Sequence, residues 1–213
     1  MISRRQFIKD TGLVLLGTAM GYTALNTSCK KGNNPISTTQ PPDTDLAYLI
    51  NVDPSTVDNQ NLPITPLNGL HVNGYDGPGF VDITTFTLSI YGMVDNPLDI
   101  TYEMFKKYER VTQVTLLSCP NEFVDNAQWS GVPVSALLTS AGVKPEAQNV
   151  LFHSMPGDTR PVLIADAMAK GVLLADEVDG VPLPISHGFP LRLVRPGLEG
   201  GNWLKWVTRI ELA

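Results

Sequence analysis

The sequence predicts a single α+β domain, rich in strands, with short helices and long loops. Three observations predict it. Proline (17) and glycine (18) are frequent in the 213-residue chain. Continuous amphipathic helices are few, and short runs of Val, Ile, Leu and Thr are separated by turn residues. About 40 residues read as targeting segment and linker, and the remaining ~170 suit one domain with a sizeable core. The formal charge is -6, from 15 Lys+Arg and 21 Asp+Glu. Residues 1–28 hold three of the basic and one of the acidic residues, so the rest carries 12 against 20, or -8. That balance argues against nucleic acid as the main partner.

Residues 3–9 read S-R-R-Q-F-I-K and precede a mildly apolar stretch over 12–25. Adjacent arginines, an aromatic, a lysine and a weak hydrophobic run predict a twin-arginine export signal over 1–28. An ordinary secretory signal beginning Arg-Arg is the alternative. The run is too short and weak for a good membrane span. The signal ends L-N-T-S-C, which resembles a bacterial lipoprotein processing site, with Cys29 as the acylated first residue of the mature chain. Residues 29–45 are then a lipidated terminus and flexible tether, and 46–213 the domain.

Within the domain, residues 68–79 form a glycine-rich loop that carries His71, Asn73 and Tyr75. Such a loop suits close backbone approach to a ligand, although loose surface loops share this composition. Residues 86–94 read as a strand, and 95–97 (D-N-P) as the turn after it. Thr101 caps a short helix over 102–108, with Met104, Phe105 and Tyr108 expected on one face. Residues 111–119 (V-T-Q-V-T-L-L-S-C) read as a buried strand, ended by Pro120, which has no amide hydrogen to donate. Cys119 therefore stands at a strand end. The chain has two cysteines, and Cys29 belongs to the signal, so no structural disulfide is expected for Cys119 in the mature protein.

A loop with Trp129 is expected next, then a helix from Val134 with Pro133 at its start and Gly142 at its stop. Residues 150–153 read as a strand with His153 and Ser154 at its end. Residues 164–170 give one or two helical turns closed by Gly171, 172–175 a strand, and Asp179-Gly180 a turn. The last forty residues contain H-G-F-P-L-R-L-V-R-P-G and N-W-L-K-W. Residues 191–194 and 206–212 read as strands, with a three-glycine loop over 195–202 between them. Arg192 alternates away from Leu191 and Leu193, and Lys205 lies just past the loop. Two cations beside free backbone amides make a phosphate receptor; two ordinary surface charges would give the same pattern.

Taken together, I-T-P at 64–66, L-S-C at 117–119, G-V-P-V-S-A-L-L after Trp129, H-G-F-P-L-R-L-V-x-P-G and L-K-W resemble the molybdopterin-binding domain of the sulfite oxidase family, which includes the periplasmic methionine sulfoxide reductase catalytic subunit. The likeness covers roughly residues 64–212. It implies a sulfite-oxidase-type fold of mixed sheets, and a molybdenum–molybdopterin cofactor whose metal takes the Cys119 thiolate. That is sound chemistry, since a soft charged sulfur suits a high-valent metal that already carries sulfur ligands. It also implies that Arg192 and Lys205 hold the pterin's phosphate and polar edge. His187 and Ser154 match cofactor contacts, Trp203 and Leu204 offer backbone groups, and His71, Asn73 and Tyr75 fall near contacts in an uncertain register.

Sulfite oxidases hold their anionic substrate with arginines, one in the early loop and one after the cysteine. Here the first position is Val72 or Asn73, and the second segment holds Glu122 and Asp125 with no arginine. This predicts a neutral or cationic small-molecule substrate, sulfoxide reduction being one case, rather than sulfite. No haem motif is present, so a separate redox partner, a cytochrome or membrane subunit, is expected for a monomeric catalytic domain. The expected location is periplasmic or in the cell envelope. Two other readings use the same residues. One is a cysteine hydrolase pairing Cys119 with His153 or His187; the other is a cofactor-free binding lipoprotein of this fold.

Overall fold

In this computed structural model the described residues are 46–74 and 77–213. The export signal, Cys29, the tether and Tyr75 therefore lie outside the described residues.

The first sheet is built from both ends of the domain. Its strands are β1 (Thr87–Gly92), β2 (Leu98–Thr101), β5 (Asn149–Ser154), β6 (Thr159–Leu163) and β10 (Val207–Leu212), in the order β2-β1-β10-β5-β6. The β1–β10 pair is parallel and the others are antiparallel. The second sheet runs β3 (Val111–Cys119), β4 (Phe123–Pro133), β7 (Leu173–Val178) and β8 (Val181–Pro182), with β9 (Arg192–Val194) also on β7. All of its pairs are antiparallel. The expected α+β architecture of mixed sheets and short helices is what forms.

Local chemistry accounts for most element ends. Thr101 accepts a hydrogen bond from the Met104 amide (3.3 Å) and starts α1 (Tyr102–Phe105). Only Phe105 is buried there, while Met104 is 47% exposed, so the three expected residues do not share a buried face. The helix α2 (Val134–Ala141) follows Pro133 and stops at Gly142, whose φ of 70° is the left-handed value glycine tolerates. Ile164–Ala167 forms α3, and Gly171 turns the chain toward β7.

The expected loop around Trp129 is instead the eleven-residue strand β4, hairpinned to β3 through Asn121 at φ 63°. Its polar residues hid it. Asp125 and Asn126 are fully buried and bonded to loop groups, although Oδ1 of Asn126 has no partner among the described residues. The Asn126 amide nitrogen Nδ2 donates to the carbonyls of Asn59 and Leu62, each at 3.2 Å, and its backbone bonds Thr65 on both sides. The I-T-P motif thus acts as a clasp on β4.

One core fills the space between the sheets and takes in α2, Leu191 and Leu193. A second lies on the other face of the second sheet and contains Leu117, Cys119, Ala127, Trp129 and Trp203. The period of two in β3 sends Leu117 and Cys119 to this face, and Leu116 to a third cluster with Leu46 and Leu49. The cysteine thereby ends up on a walled face rather than in solvent.

Candidate functional site

Cys119 is 1% exposed at the last position of β3, opposite Phe123 on β4. Its sulfur is held in a disulfide, which the sequence reading did not expect. The other cysteine of the chain, Cys29, lies outside the described residues. Acting as a metal ligand would require the reduced thiolate.

Asn73 brings the early loop onto this sulfur. Its side-chain Nδ2 donates to Cys119 Sγ at 2.9 Å and to Glu122 Oε2 at 3.3 Å, and that carboxylate oxygen is 3.6 Å from the sulfur. Its backbone carbonyl accepts from Lys205 Nζ at 2.8 Å. Lys205 in turn packs closely against Gly188, which has a positive φ of 114° and is also flanked by Arg192. A Cβ added there would meet both residues at 3.2 Å. Arg192 Nη1 donates to the His187 carbonyl at 2.9 Å. Hydrogen bonds therefore join the sulfur to the Lys205 ammonium through Asn73, and Lys205 and Arg192 flank Gly188.

Arg192 is 4% exposed and alternates onto the second core, as its strand position predicts. Its guanidinium lies 5.0 Å from the Trp129 ring centroid and 5.3 Å from that of Trp203, and the two rings meet edge-to-face. Cation–π attraction offsets part of the desolvation cost. Nε of Arg192 and Nδ1 of His187 are buried without a hydrogen-bond partner. Burial pushes the arginine down to about 10, opposed by the charge of Asp125. His187 is pushed down to about 3, first by burial and then by Arg192 and Lys205. Arg192 Nε is thus a buried donor without a partner among the described residues, a group suited to an oxyanion.

Other predicted residues take different places. His71 donates its backbone amide to buried Asp125 (2.8 Å), sets Nδ1 2.9 Å from the same carboxylate, and stacks on Phe123. Asp125 is occupied by His71, so of the two acids expected to repel an anion only Glu122 is beside the sulfur. Trp203 is held by its indole, which donates to the Arg195 carbonyl at 2.9 Å. The Leu204 backbone groups, expected to serve a ligand, close instead on Leu193 in a two-way bridge. Ser154 accepts from the Asp158 amide at 3.0 Å, closing the turn after β5. His153 contacts Thr159 and Glu211 on the first sheet, each at 3.0 Å, so it is not the base beside Cys119 that a hydrolase would use.

Among the described residues no three His, Cys, Asp or Glu side chains gather to hold a metal ion. The described residues thus offer Cys119 no such cluster of partner ligands for a metal. A carrier with its own sulfur ligands and a phosphate fits both the sulfur and the cationic cluster.

The comparisons agree with that chemistry. The family model for the oxidoreductase molybdopterin binding domain matches residues 76–213. An uncharacterized oxidoreductase of Bacillus subtilis, YuiH, is 36% identical over 72% of this chain and 76% of its own length. The mitochondrial sulfite oxidase of Drosophila melanogaster is 36% identical over 49% of this chain, which spans only 20% of that protein. Among solved structures, the sulfane dehydrogenase SoxCD of Paracoccus pantotrophus superposes with a TM-score of 0.65 at 29% identity, covering 70% of this chain and 43% of that one. With more than half of its residues matched by the family model, this chain belongs to the oxidoreductase molybdopterin-binding domain family of the sulfite oxidase type, an oxidoreductase whose cofactor is molybdenum–molybdopterin.

Proposed function

We propose that the chain is an exported oxidoreductase that moves an oxygen atom to or from a small neutral or cationic substrate, with sulfoxide reduction favoured over sulfite oxidation. The observation that carries this reading is the hydrogen-bonded path from Cys119 through Asn73 to Lys205, which flanks Gly188 together with Arg192. The bound cofactor supplies two-electron oxygen-atom exchange. Reduced Cys119 would ligate the metal, and the Asn73 amide would hold the sulfur's negative charge and orientation. Arg192 and Lys205 would take the pterin's phosphate and polar edge, with His187 as a neutral ring beside them. Among the described residues of the early loop Asn73 touches both Cys119 and Lys205, and Tyr75 belongs to the same proposal from sequence alone.

Glu122 supports the choice of substrate. Its carboxylate beside the sulfur repels an anion such as sulfite and tolerates a neutral sulfoxide. Electrons would come from or go to a separate redox partner, a cytochrome or a membrane subunit. Export by the twin-arginine route, acylation at Cys29, a tether through residue 45 and action as a monomer in the periplasm or cell envelope complete the proposal.

Metal and pterin analysis of the full chain, made in a host that supplies the cofactor, tests it. One molybdenum per chain is expected, and Cys119→Ser should lose the metal while keeping the pterin. A native protein without metal or pterin would overturn the reading. A substrate screen with an artificial electron donor or acceptor should rank sulfoxides above sulfite, and the reverse order would remove the sulfoxide assignment.

A further inference from the structure

The chain crosses from the second sheet to the first between Leu204, which bridges Leu193, and Val207, which opens β10. Lys205 and Trp206 make that crossing. Trp206 does so at a φ of 58°, in the left-handed region that bulky side chains rarely adopt. So unfavourable a conformation persists only where its surroundings hold it, and such residues collect at functional sites.

The segments that hold Trp206 are those expected to face the cofactor. The residue is 5% exposed, and its indole Nε1 donates to the Ile185 carbonyl at 2.7 Å, two positions before His187. Its backbone amide donates to the Gly188 carbonyl at 3.3 Å, one position after His187. Its own carbonyl accepts from the Met155 amide at 2.9 Å, next to Ser154. Gly77 of the early loop comes so near that an added Cβ would stand 3.0 Å from the ring atom Cζ2. The Lys205 ammonium lies 5.2 Å from the ring centroid and donates to the Asn73 carbonyl at 2.8 Å.

An ammonium on a four-carbon stem samples many directions unless something confines it, and an aromatic face attracts it. We propose that Trp206 is a positioning residue of the cofactor site. Its left-handed backbone directs Lys205 to the early loop while Val207 enters β10, and its ring is the platform on which the ammonium is held. The role toward the cofactor rests on the reading of Lys205 as a pterin ligand; the hold on Lys205 does not.

Limited acetylation of the cofactor-free full chain with acetic anhydride, followed by mass spectrometry, compares the amine of Lys205 with that of exposed Lys144. Trp206→Leu should raise the Lys205 to Lys144 labelling ratio roughly 3–10-fold, the scale of one partly buried cation–π contact, and Trp206→Phe, which keeps a ring, should raise it less. A general loss of stability would not single out Lys205. Gly77→Ala, whose Cβ would press on the ring, should also raise the ratio, and it keeps the test open should Trp206→Leu fail to fold. In chains made with the cofactor, pterin retained after dialysis should fall from wild type to Trp206→Phe to Trp206→Leu. A labelling ratio unchanged in the folded variants would overturn the proposal, as would equal pterin retention in all three loaded chains. A raised ratio in variants of a wild-type chain that holds no pterin would support the hold on Lys205 and overturn the cofactor reading alone.

Discussion

Asn73 touches the sulfur with its side chain and the Lys205 ammonium with its backbone, so one residue fixes the distance between the two parts of the site. The two roles separate by mutation. Asn73→Ala removes the donor to the sulfur and leaves the carbonyl for Lys205, so pterin should be kept while the metal is held more loosely. A hydrogen bond to a ligand atom commonly changes metal affinity about 10–100-fold. The molybdenum-to-pterin ratio of the variant after dialysis should fall below that of the wild type, and an unchanged ratio would show the amide to be dispensable. The side of β9 that Arg192 occupies was legible from strand alternation, but its packing against Trp129 and Trp203 was not. The rings are 74 residues apart in the chain, and nothing local in either segment announces that they meet.

Among the elements, β4 positions the site. It pairs with β3 from Phe123 to Gly131 and with β7 on its other side, where the register shifts between Ser130 and Gly131. Gly131 is required there because the β7 backbone at Leu174 and Ala175 fills the space a Cβ would need. Gly131→Ala should push β7 from β4 and destabilise the fold by roughly 1–3 kcal/mol, the usual scale of overpacking. Urea denaturation would read this as a lower midpoint with an unchanged slope. Helix α2 and strands β1, β3, β5, β9 and β10 were legible because their apolar periods and their Pro, Gly and Asp-Asn punctuation agree. β4 was not, since buried Asp125 and Asn126 break the apolar pattern and are stable only through partners in loops more than fifty residues away.

For the whole molecule, the cationic cluster on the second core makes stability depend on pH. The folded protein keeps His187 neutral until about pH 3, whereas its ordinary value is 6.5. Below 6.5 the unfolded chain therefore binds a proton that the folded chain refuses. Stability should fall as pH drops from 6.5 towards 3, then stop falling from this source. At pH 4 the loss attributable to His187 is on the order of 3 kcal/mol in the cofactor-free protein. Urea unfolding of wild type and His187→Asn at pH 7 and pH 4 should show a smaller acid loss in the variant; equal losses would place the acid sensitivity elsewhere.

The sequence by itself determined the strand-rich α+β class, most strands, the α2 helix and the family motifs. Those signals are carried by neighbouring residues through side-chain period, backbone propensity and turn chemistry. Only the tertiary structure decided that Asn73 joins Cys119 to Lys205, that His71 and Asp125 satisfy each other, and that Leu204 closes on Leu193. These contacts link residues from 11 to 132 positions apart, and their energies depend on burial and partner geometry, which exist only once the two sheets have packed.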